Sequence, residues 1–260
     1  MTSEPIEAYG GISIPVEMLR DVAQQIEANG VPFHLDHNMS TPLRVRGFEA
    51  FVESRPDGFD ELRFHAEIHE GDFHWLESRQ GVSATIMAPL ARDQNRVRNH
   101  GAAIRISADN AWFADDALIE AEEQLIARGV AREIIQVERA YQFSFVPDPQ
   151  IFVDVVYPIL LSIGASAIWD GAKKIFDQRR TPSSGDATAP TVVNVSIADG
   201  DRSLRAVVTT SDEAVAQRAI ESLDQAVTAF FQSTPISPPE DNRKSITVWD
   251  DESGNWAPPA

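Results

Sequence analysis

Two polar residues in the N-terminal half of the chain have the chemistry that serine hydrolysis requires. His37 follows an apolar run over residues 31–35 and precedes the turn Asn-Met-Ser-Thr-Pro, while Ser83 lies in the alternating sequence Gln-Gly-Val-Ser-Ala-Thr. A serine nucleophile needs a base that takes its proton and a third group that orients the base. We therefore predict Ser83 as a candidate nucleophile and His37 as a candidate base. The alternative for His37 is a polar strand end that hydrogen-bonds its own turn.

A second set of polar residues alternates along one predicted strand. His65, Glu67 and His69 share one face of that strand, and imidazoles and carboxylates are ligands of zinc and non-haem iron. Ligands from a single strand project in parallel and rarely converge on one ion, so a solvent-facing strand is the favoured interpretation. We predict no metal and no other cofactor. Two further histidines, His34 and His100, show no pattern of partners and are assigned to surface or turn positions.

The composition of the chain limits its chemistry and its partners. There is no cysteine, which excludes disulfides, thiolate catalysis and cysteine-based metal sites. The formal net charge of −18 argues against nucleic acid and anionic membranes as partners. The opening sequence Met-Thr-Ser-Glu-Pro-Ile-Glu has no apolar core and does not resemble a secretory signal. We therefore expect a cytoplasmic protein.

The longest apolar stretch of the sequence runs from Val155 to Trp169 and contains a proline and a glycine. It has 15 residues, against the roughly 20 that a membrane-spanning helix needs. A buried helix or helix pair is therefore favoured over membrane association.

The first 147 residues show the patterns of a mixed, strand-dominated domain. Apolar residues recur at helical spacing and at alternate positions in separate stretches of this part of the chain. The predicted helices cover residues 15–29 and 115–128, and the predicted strands lie within residues 31–92, 103–106 and 133–146. We expect this domain to end at residue 147, near Pro147-Asp-Pro149.

The rest of the chain predicts a smaller helix–β-hairpin–helix module over residues 150–232. Its elements are a long apolar helical region, a hairpin with an Asp199-Gly200 turn, and a helix that begins at Ser211. Residues 179–190 are rich in turn-forming residues and predict a mobile linker. Residues 233–260 are rich in proline and predict a mostly flexible tail. The sequence therefore predicts a two-domain α+β protein.

Four sequence landmarks occur in an order that is found in a known family. They are DHNMSTPLRVRG, DGFDELRFHAEI, GVSATI and RAYQFSFVPDP, and together they span about residues 11–150. In this stretch the chain resembles the head-maturation (prohead) proteases of tailed phages, which share a β-rich fold with herpesvirus assemblin. The resemblance implies an assemblin-like β-barrel with flanking helices, and a serine endopeptidase that cuts a protein substrate or its own chain. It makes His37 the base and Ser83 the nucleophile.

Two features depart from the pattern of that family. Gln142 stands where a glutamate is expected as the third catalytic residue, and Glu138 shares its strand parity and is the alternative. The segment of residues 91–132 is also longer than expected and carries an extra helix. An amide can orient an imidazole but stabilises its protonated form less than a carboxylate does.

The enzymatic status of the chain therefore stays open in the sequence. One hypothesis is a serine peptidase. The other is a catalytically inactive protein-interaction or oligomerisation protein on the same fold, with a protein partner or further copies of itself. The sequence Gly164-Ala-Ser-Ala167 would allow helices to approach closely in such an oligomer.

Overall fold

The computed structural model describes residues 2–5, 11, 13–29, 34–35, 38–73, 82–83, 85–90, 92, 102–142, 148–182, 185–232 and 246–258. These residues form a mixed α+β protein that is rich in strands, as predicted. The chain divides into two compact units. The N-terminal unit comprises Met1–Thr85 and Gln142–Val146, and the C-terminal unit comprises Ile86–Tyr141 and Pro147–Ala260.

The N-terminal unit contains one helix that packs on a β-hairpin. Helix α1 (Val16–Asn29) forms where the sequence predicts it, because its apolar residues recur every three or four positions and bury one stripe. It contacts the antiparallel strands β3 (Val45–Ser54) and β4 (Asp60–Ile68). The buried residues of the helix are Leu19, Val22, Ala23 and Ile26.

A second, smaller sheet in the N-terminal unit has three short strands. Its order is β2-β1-β5, and both pairings are antiparallel. The strands are β1 (His34–Leu35), β2 (Asn38–Pro42) and β5 (Val82–Ser83). Among the strands that the structure describes, no sheet closes into the barrel that the family resemblance implies.

The C-terminal unit is built on one eight-stranded mixed sheet with the order β13-β12-β11-β10-β9-β7-β8-β6. Its strands are β6 (Thr85–Pro89), β7 (Ile104–Asp109), β8 (Ile135–Gln142), β9 (Gln150–Val156), β10 (Thr191–Asp199), β11 (Arg202–Thr210), β12 (Ile246–Asp250) and β13 (Asn255–Ala257). The helices between them are α2 (Asp115–Ala127), α3 (Tyr157–Ile163), α4 (Ala165–Phe176), α5 (Glu213–Glu221) and α6 (Leu223–Gln232). Parallel pairs are joined through helices, whereas β10 and β11 form the predicted hairpin.

One face of this sheet supplies the core of the C-terminal unit. Ile106, Val153, Val195 and Ala206 lie opposite one another on four neighbouring strands, and all four are fully buried. At Gly171 in α4, an added β-carbon would lie 3.4 Å from Leu125 of α2 and 3.5 Å from Ile106 of β7. Both distances are ordinary van der Waals contacts, so α4 packs directly on both neighbours at this position.

The boundary between the units differs from the predicted boundary at residue 147. Strand β7 pairs with β9 from Ile104 opposite Val155 to Ala108 opposite Ile151, and it also pairs with β8. Strands β7 and β8 therefore belong to the same sheet as the predicted hairpin. Alternation in a sequence identifies a strand but not its partner, which is why the pattern placed these strands in the first domain.

The predicted mobile linker over residues 179–190 is attached to the C-terminal unit in its described part. The guanidinium of Arg179 lies 4.6 Å from the centre of the Trp112 ring. Arg180 donates its backbone N–H to the Trp112 carbonyl at 2.9 Å, and its side chain donates to two carbonyls of the turn after β7. Turn-rich composition alone does not reveal such long-range donors.

The apolar stretch from Val155 to Trp169 ends β9, forms α3 and begins α4. Gly164 separates the two helices with a φ of 78°, which favours glycine. Ala165 and Ala167, which the sequence offered as part of an oligomer contact, are buried within the unit. Within the described ranges, no helix is both long enough and apolar enough to cross a membrane.

The last described residues, 246–258, form strands where the sequence predicts a mostly flexible tail. Strand β12 pairs with β11 in parallel, and β13 pairs with β12 in antiparallel orientation. The rings of Trp249 and Trp256 meet edge to face at 5.5 Å, and Trp256 donates its indole N–H to the Ser222 hydroxyl at 3.2 Å. Aromatic burial thus fixes a segment whose composition resembles that of a linker.

Replacing Trp256 with alanine should therefore destabilise the C-terminal unit. Loss of the aromatic contact and of the indole hydrogen bond should lower the free energy of unfolding by about 1–3 kcal/mol. Urea denaturation followed by circular dichroism measures this change. The control is Pro258→Ala, an exposed position in the same segment, which should leave stability unchanged. Equal stability of both variants would contradict the described strands.

Candidate functional site

The candidate nucleophile lies opposite a histidine in the small sheet of the N-terminal unit. Strands β1 and β5 are antiparallel, and the backbone partner of Ser83 is His34. The next pair in this register is Leu35 with Val82. Two residue types that can form a nucleophile and base pair therefore occupy directly opposed positions, although His34 showed no partner pattern in the sequence.

The predicted base, His37, lies outside the described residues. In the sequence it follows β1 and directly precedes Asn38, the first residue of β2. The antiparallel register moves away from Ser83 as the chain proceeds from His34 toward Leu35. The described strands therefore bring Ser83 together with His34, while they leave the relation between Ser83 and His37 as a prediction.

The two candidates for the third catalytic residue belong to different units. Gln142 is the last residue of β8, is almost fully buried, and is grouped with the N-terminal unit that contains Ser83 and His34. Glu138 belongs to the C-terminal unit, where it lies opposite Ser107 and accepts a hydrogen bond from Gln136 at 2.9 Å. Gln142 and Glu138 are thus an even number of positions apart on β8, but they have different surroundings.

The three alternating residues of the metal hypothesis have separate partners in the structure. The ring of His65 meets Phe51 edge to face at 5.6 Å, and the Glu67 carboxylate accepts a hydrogen bond from Arg46 at 2.9 Å. His69 uses Nδ1 to accept the backbone N–H of Gly71 at 3.0 Å. Among the described residues, no group of three histidine, aspartate or glutamate side chains is arranged to hold a metal ion.

A polar row crosses four strands of the C-terminal sheet, and sequence reasoning missed it. Arg105 of β7 lies opposite Asp154 of β9, Asp154 lies opposite Ser196 of β10, and Ser196 lies opposite Arg205 of β11. Directly opposed residues share a sheet face, so the four side chains form one row on the face away from the apolar core. The available signal was Asp154 itself, a lone charge within the apolar sequence Gln-Ile-Phe-Val-Asp-Val-Val.

The electrostatics of this row are dominated by desolvation. Desolvation raises the pKa of Asp154, and this effect exceeds the opposing effects of the Ser196 hydrogen bond and of the charges on Arg205 and Arg105. Desolvation also lowers the pKa of Arg205, which Asp154 partly counteracts. The Asp154 residue nevertheless remains exposed.

A buried amide lies next to the polar row. Asn194 is two residues before Ser196 on β10, so both belong to the same face of the sheet. Only 2% of Asn194 is exposed, and neither its Nδ2 nor its Oδ1 atom has a hydrogen-bond partner. Native structures rarely leave both atoms of a buried amide unsatisfied.

Comparisons with known proteins add no assignment to either site. The chain matches no protein-family model, no curated protein and no solved structure.

The pH dependence of stability should report on Asp154. Its pKa is raised above the ordinary value of 3.8 in the folded state, so the folded state binds a proton more readily than the unfolded state. The contribution of Asp154 to stability is thus largest below that ordinary value and is lost as pH rises through the folded pKa. Asp154→Asn should remove this part of the pH dependence.

Urea denaturation between about pH 4 and pH 7 measures this difference. The stability of the wild type relative to Asp154→Asn should fall as pH rises. The control is Asp199→Asn, which removes the same charge from the exposed end of β10 in the same sheet. A constant or rising relative stability would contradict the assignment.

Proposed function

We propose that the N-terminal unit carries a serine hydrolase site of the peptidase type, with Ser83 as nucleophile and His34 as its base. The observation that supports this proposal is the backbone register, in which the two residues are direct partners on antiparallel strands. Opposed residues in such strands share a face, and their β-carbons are about 5 Å apart. A hydroxyl and an imidazole at that spacing can form the hydrogen bond that activates serine.

The proposed reaction proceeds through an acyl-enzyme. The Ser83 oxygen attacks the carbonyl carbon of a peptide bond while His34 accepts the hydroxyl proton. The tetrahedral intermediate then collapses, the carbon–nitrogen bond breaks, and the protonated imidazole gives its proton to the leaving amine. Water next attacks the ester carbonyl while the imidazole accepts a proton from it. The acyl–oxygen bond then breaks, the imidazolium returns the proton to the Ser83 oxygen, and the carboxylic acid product leaves.

Gln142 is proposed to orient the imidazole, and its chemistry predicts slow turnover. It is the candidate third residue that is grouped with the unit of Ser83 and His34. A neutral amide can accept an imidazole N–H, but it gives little stabilisation to the positive charge that develops in the transition state. A single self-processing cut of a protein segment fits this chemistry better than rapid turnover of many substrates.

The family resemblance supports the same function and a related fold. Its four landmarks run over about residues 11–150, and they therefore include sequence from both compact units. The resemblance implies an assemblin-like, phage-related protease in which His37 is the base. The strand register instead favours His34. The two histidines can be separated by experiment.

Labelling with a fluorophosphonate probe tests the nucleophile and the base together. Ser83→Ala should abolish labelling of the full chain, because no hydroxyl remains to attack the phosphorus. His34→Ala should slow labelling by about a hundredfold or more, since general-base catalysis contributes at least that much. His37→Ala should label faster than His34→Ala, and the reverse order would identify His37 as the base.

A matched control separates loss of chemistry from loss of fold. Ser54→Ala removes an exposed serine from β3 in the same unit and should leave labelling unchanged. Circular dichroism should show that every variant retains the wild-type secondary structure. If Ser83→Ala labels as fast as the wild type, the hydrolase proposal is wrong.

A second candidate function is protein interaction, and exposed apolar side chains in the N-terminal unit favour it. Met18, Phe51, Phe64 and Phe73 each have between 38% and 49% of their surface exposed. Apolar side chains that adjoin one another are typical of surfaces that bind another protein. Phe51 and Phe64 lie on opposite faces of the β3–β4 hairpin, so they belong to separate surfaces. The simplest partner is a second copy of the chain, since the sequence also left self-association open.

Sedimentation over a range of concentrations tests this second function. The double variant Phe51→Ser, Phe73→Ser should shift the chain toward monomer, because it removes apolar area from the contact. The control is Leu161→Ser, an exposed apolar position in the C-terminal unit. A wild type that stays monomeric at every concentration would contradict self-association.

A further inference from the structure

The backbone row that carries the proposed serine site is short and weakly held at one end. Pro42 of β2, His34 of β1 and Ser83 of β5 are successive backbone partners across the small sheet. Strands β1 and β5 have only two residues each, and the register of β1 against β2 shifts directly after His34. Proline has no N–H and donates nothing to such a ladder. Contacts outside the three strands are therefore needed to fix the position of this row.

A buried carboxylate binds the chain two residues after Pro42. The backbone N–H of Arg44 donates to Oδ2 of Asp72 at 2.9 Å, and its Nη2 donates to Oδ1 at 2.7 Å. The Nε atom of Arg44 also donates to Oδ2 at 3.2 Å. The side chain of Asp72 is fully buried, whereas 30% of the Arg44 side chain is exposed. One carboxylate thus holds both the main chain and the side chain of Arg44 through charge-assisted hydrogen bonds, which are stronger than neutral ones.

The turn that follows β4 presents this carboxylate to Arg44. His69 donates its backbone N–H to the Arg44 carbonyl at 2.9 Å, and its own carbonyl accepts the N–H of Asp72 at 2.9 Å. Its Nδ1 atom accepts the N–H of Gly71 at 3.0 Å. This turn therefore holds Arg44 at both of its backbone groups. A β-carbon added at Gly71 would lie 2.7 Å from Nη2 of Arg44, so the guanidinium occupies the space that a side chain would take.

We propose that Asp72 and Arg44 are positioning residues for the serine chemistry. Asp72 fixes the backbone of Arg44, and only Leu43, which is itself buried, separates Arg44 from Pro42. The end of β2 is thereby fixed, and with it the backbone partner of His34. The role of the pair is to keep the strand of the base in register, and it rests on the hydrolase function proposed above.

The limiting rate of fluorophosphonate labelling of the full chain at saturating probe tests this role separately from probe binding. Asp72→Ala should lower the limiting rate by about tenfold to a hundredfold, because small displacements of reacting groups cost that much. The probe concentration that gives half of the limiting rate should not change. Asp72→Asn keeps an oxygen for the Arg44 N–H and should lose less. The control is Arg46→Ala, which breaks an exposed ion pair with Glu67 in the same unit and should label like the wild type.

The pH profile of labelling distinguishes positioning from a contribution to stability alone. In the wild type, the limiting rate should level off at the pH where the imidazole is neutral, because the base then takes the serine proton. When the base is displaced, hydroxide has to take that proton, so the rate of Asp72→Ala should keep rising with pH. The role is overturned if a variant with the circular dichroism of the wild type also has its limiting rate and its pH profile. That outcome would leave the hydrolase function intact.

Milder variants keep the proposal falsifiable if Asp72→Ala does not fold. Gly71→Ala places a methyl group against the guanidinium while every charge and the Arg44 N–H remain, and it should lower the limiting rate less than Asp72→Ala. Arg44→Lys should recover part of the rate that Arg44→Ala loses, because an ammonium group still pairs with the carboxylate. Wild-type rates in both Gly71→Ala and Arg44→Ala would overturn the role. Absence of Ser83-dependent labelling in the wild type would instead overturn the hydrolase function, and this role with it.

Discussion

The register of strand β9 is the constraint on which the C-terminal unit depends. This strand pairs with β7 on one side and with β10 on the other, so it joins two βαβ segments into one sheet. A shift of one residue would move Ile151, Val153 and Val155 from the apolar face to the opposite one. The same shift would carry Asp154 into the core, where its charge would have no counterion. The apolar burial and the polar row therefore select the same register.

The helices on the apolar face follow from this register. Fully buried residues on neighbouring strands present a continuous surface, and α4 packs against it at Gly171. The segment after α4 is then held by Trp112, which receives Arg179 over its ring and the backbone N–H of Arg180 at its carbonyl. The chain is thereby led to the start of β10. Arg179 and Arg180 therefore fix this connection in place, because the groups that they contact lie far away in the sequence.

Local elements could be predicted from the sequence much better than their partners. The stripe of α1 and the β3–β4 and β10–β11 hairpins are encoded in neighbouring residues, and the structure contains all of them. The loop of the second hairpin is Gly200-Asp201 and not the predicted Asp199-Gly200, because Asp199 pairs with Arg202. The sequence could not predict that β7 and β8 belong to the eight-stranded sheet, because an alternating pattern does not identify the partner strand. Trp256 shows the same limit, since the pairing of β13 depends on β12 and on Ser222 rather than on local composition.

The candidate sites show the same difference between local features, which the sequence reveals, and partners that only strand pairing reveals. Ser83 could be chosen from the sequence because its residue type and its alternation are local, whereas its backbone partner His34 emerges only from the pairing of β1 with β5. The polar row is the stronger example, because its residues come from four strands that span about a hundred positions of the sequence. Each residue alone is ordinary for a solvent-facing strand position. Only the register places Arg105, Asp154 and Arg205 in one ordered row of charges. That order determines the electrostatic character of this face of the sheet.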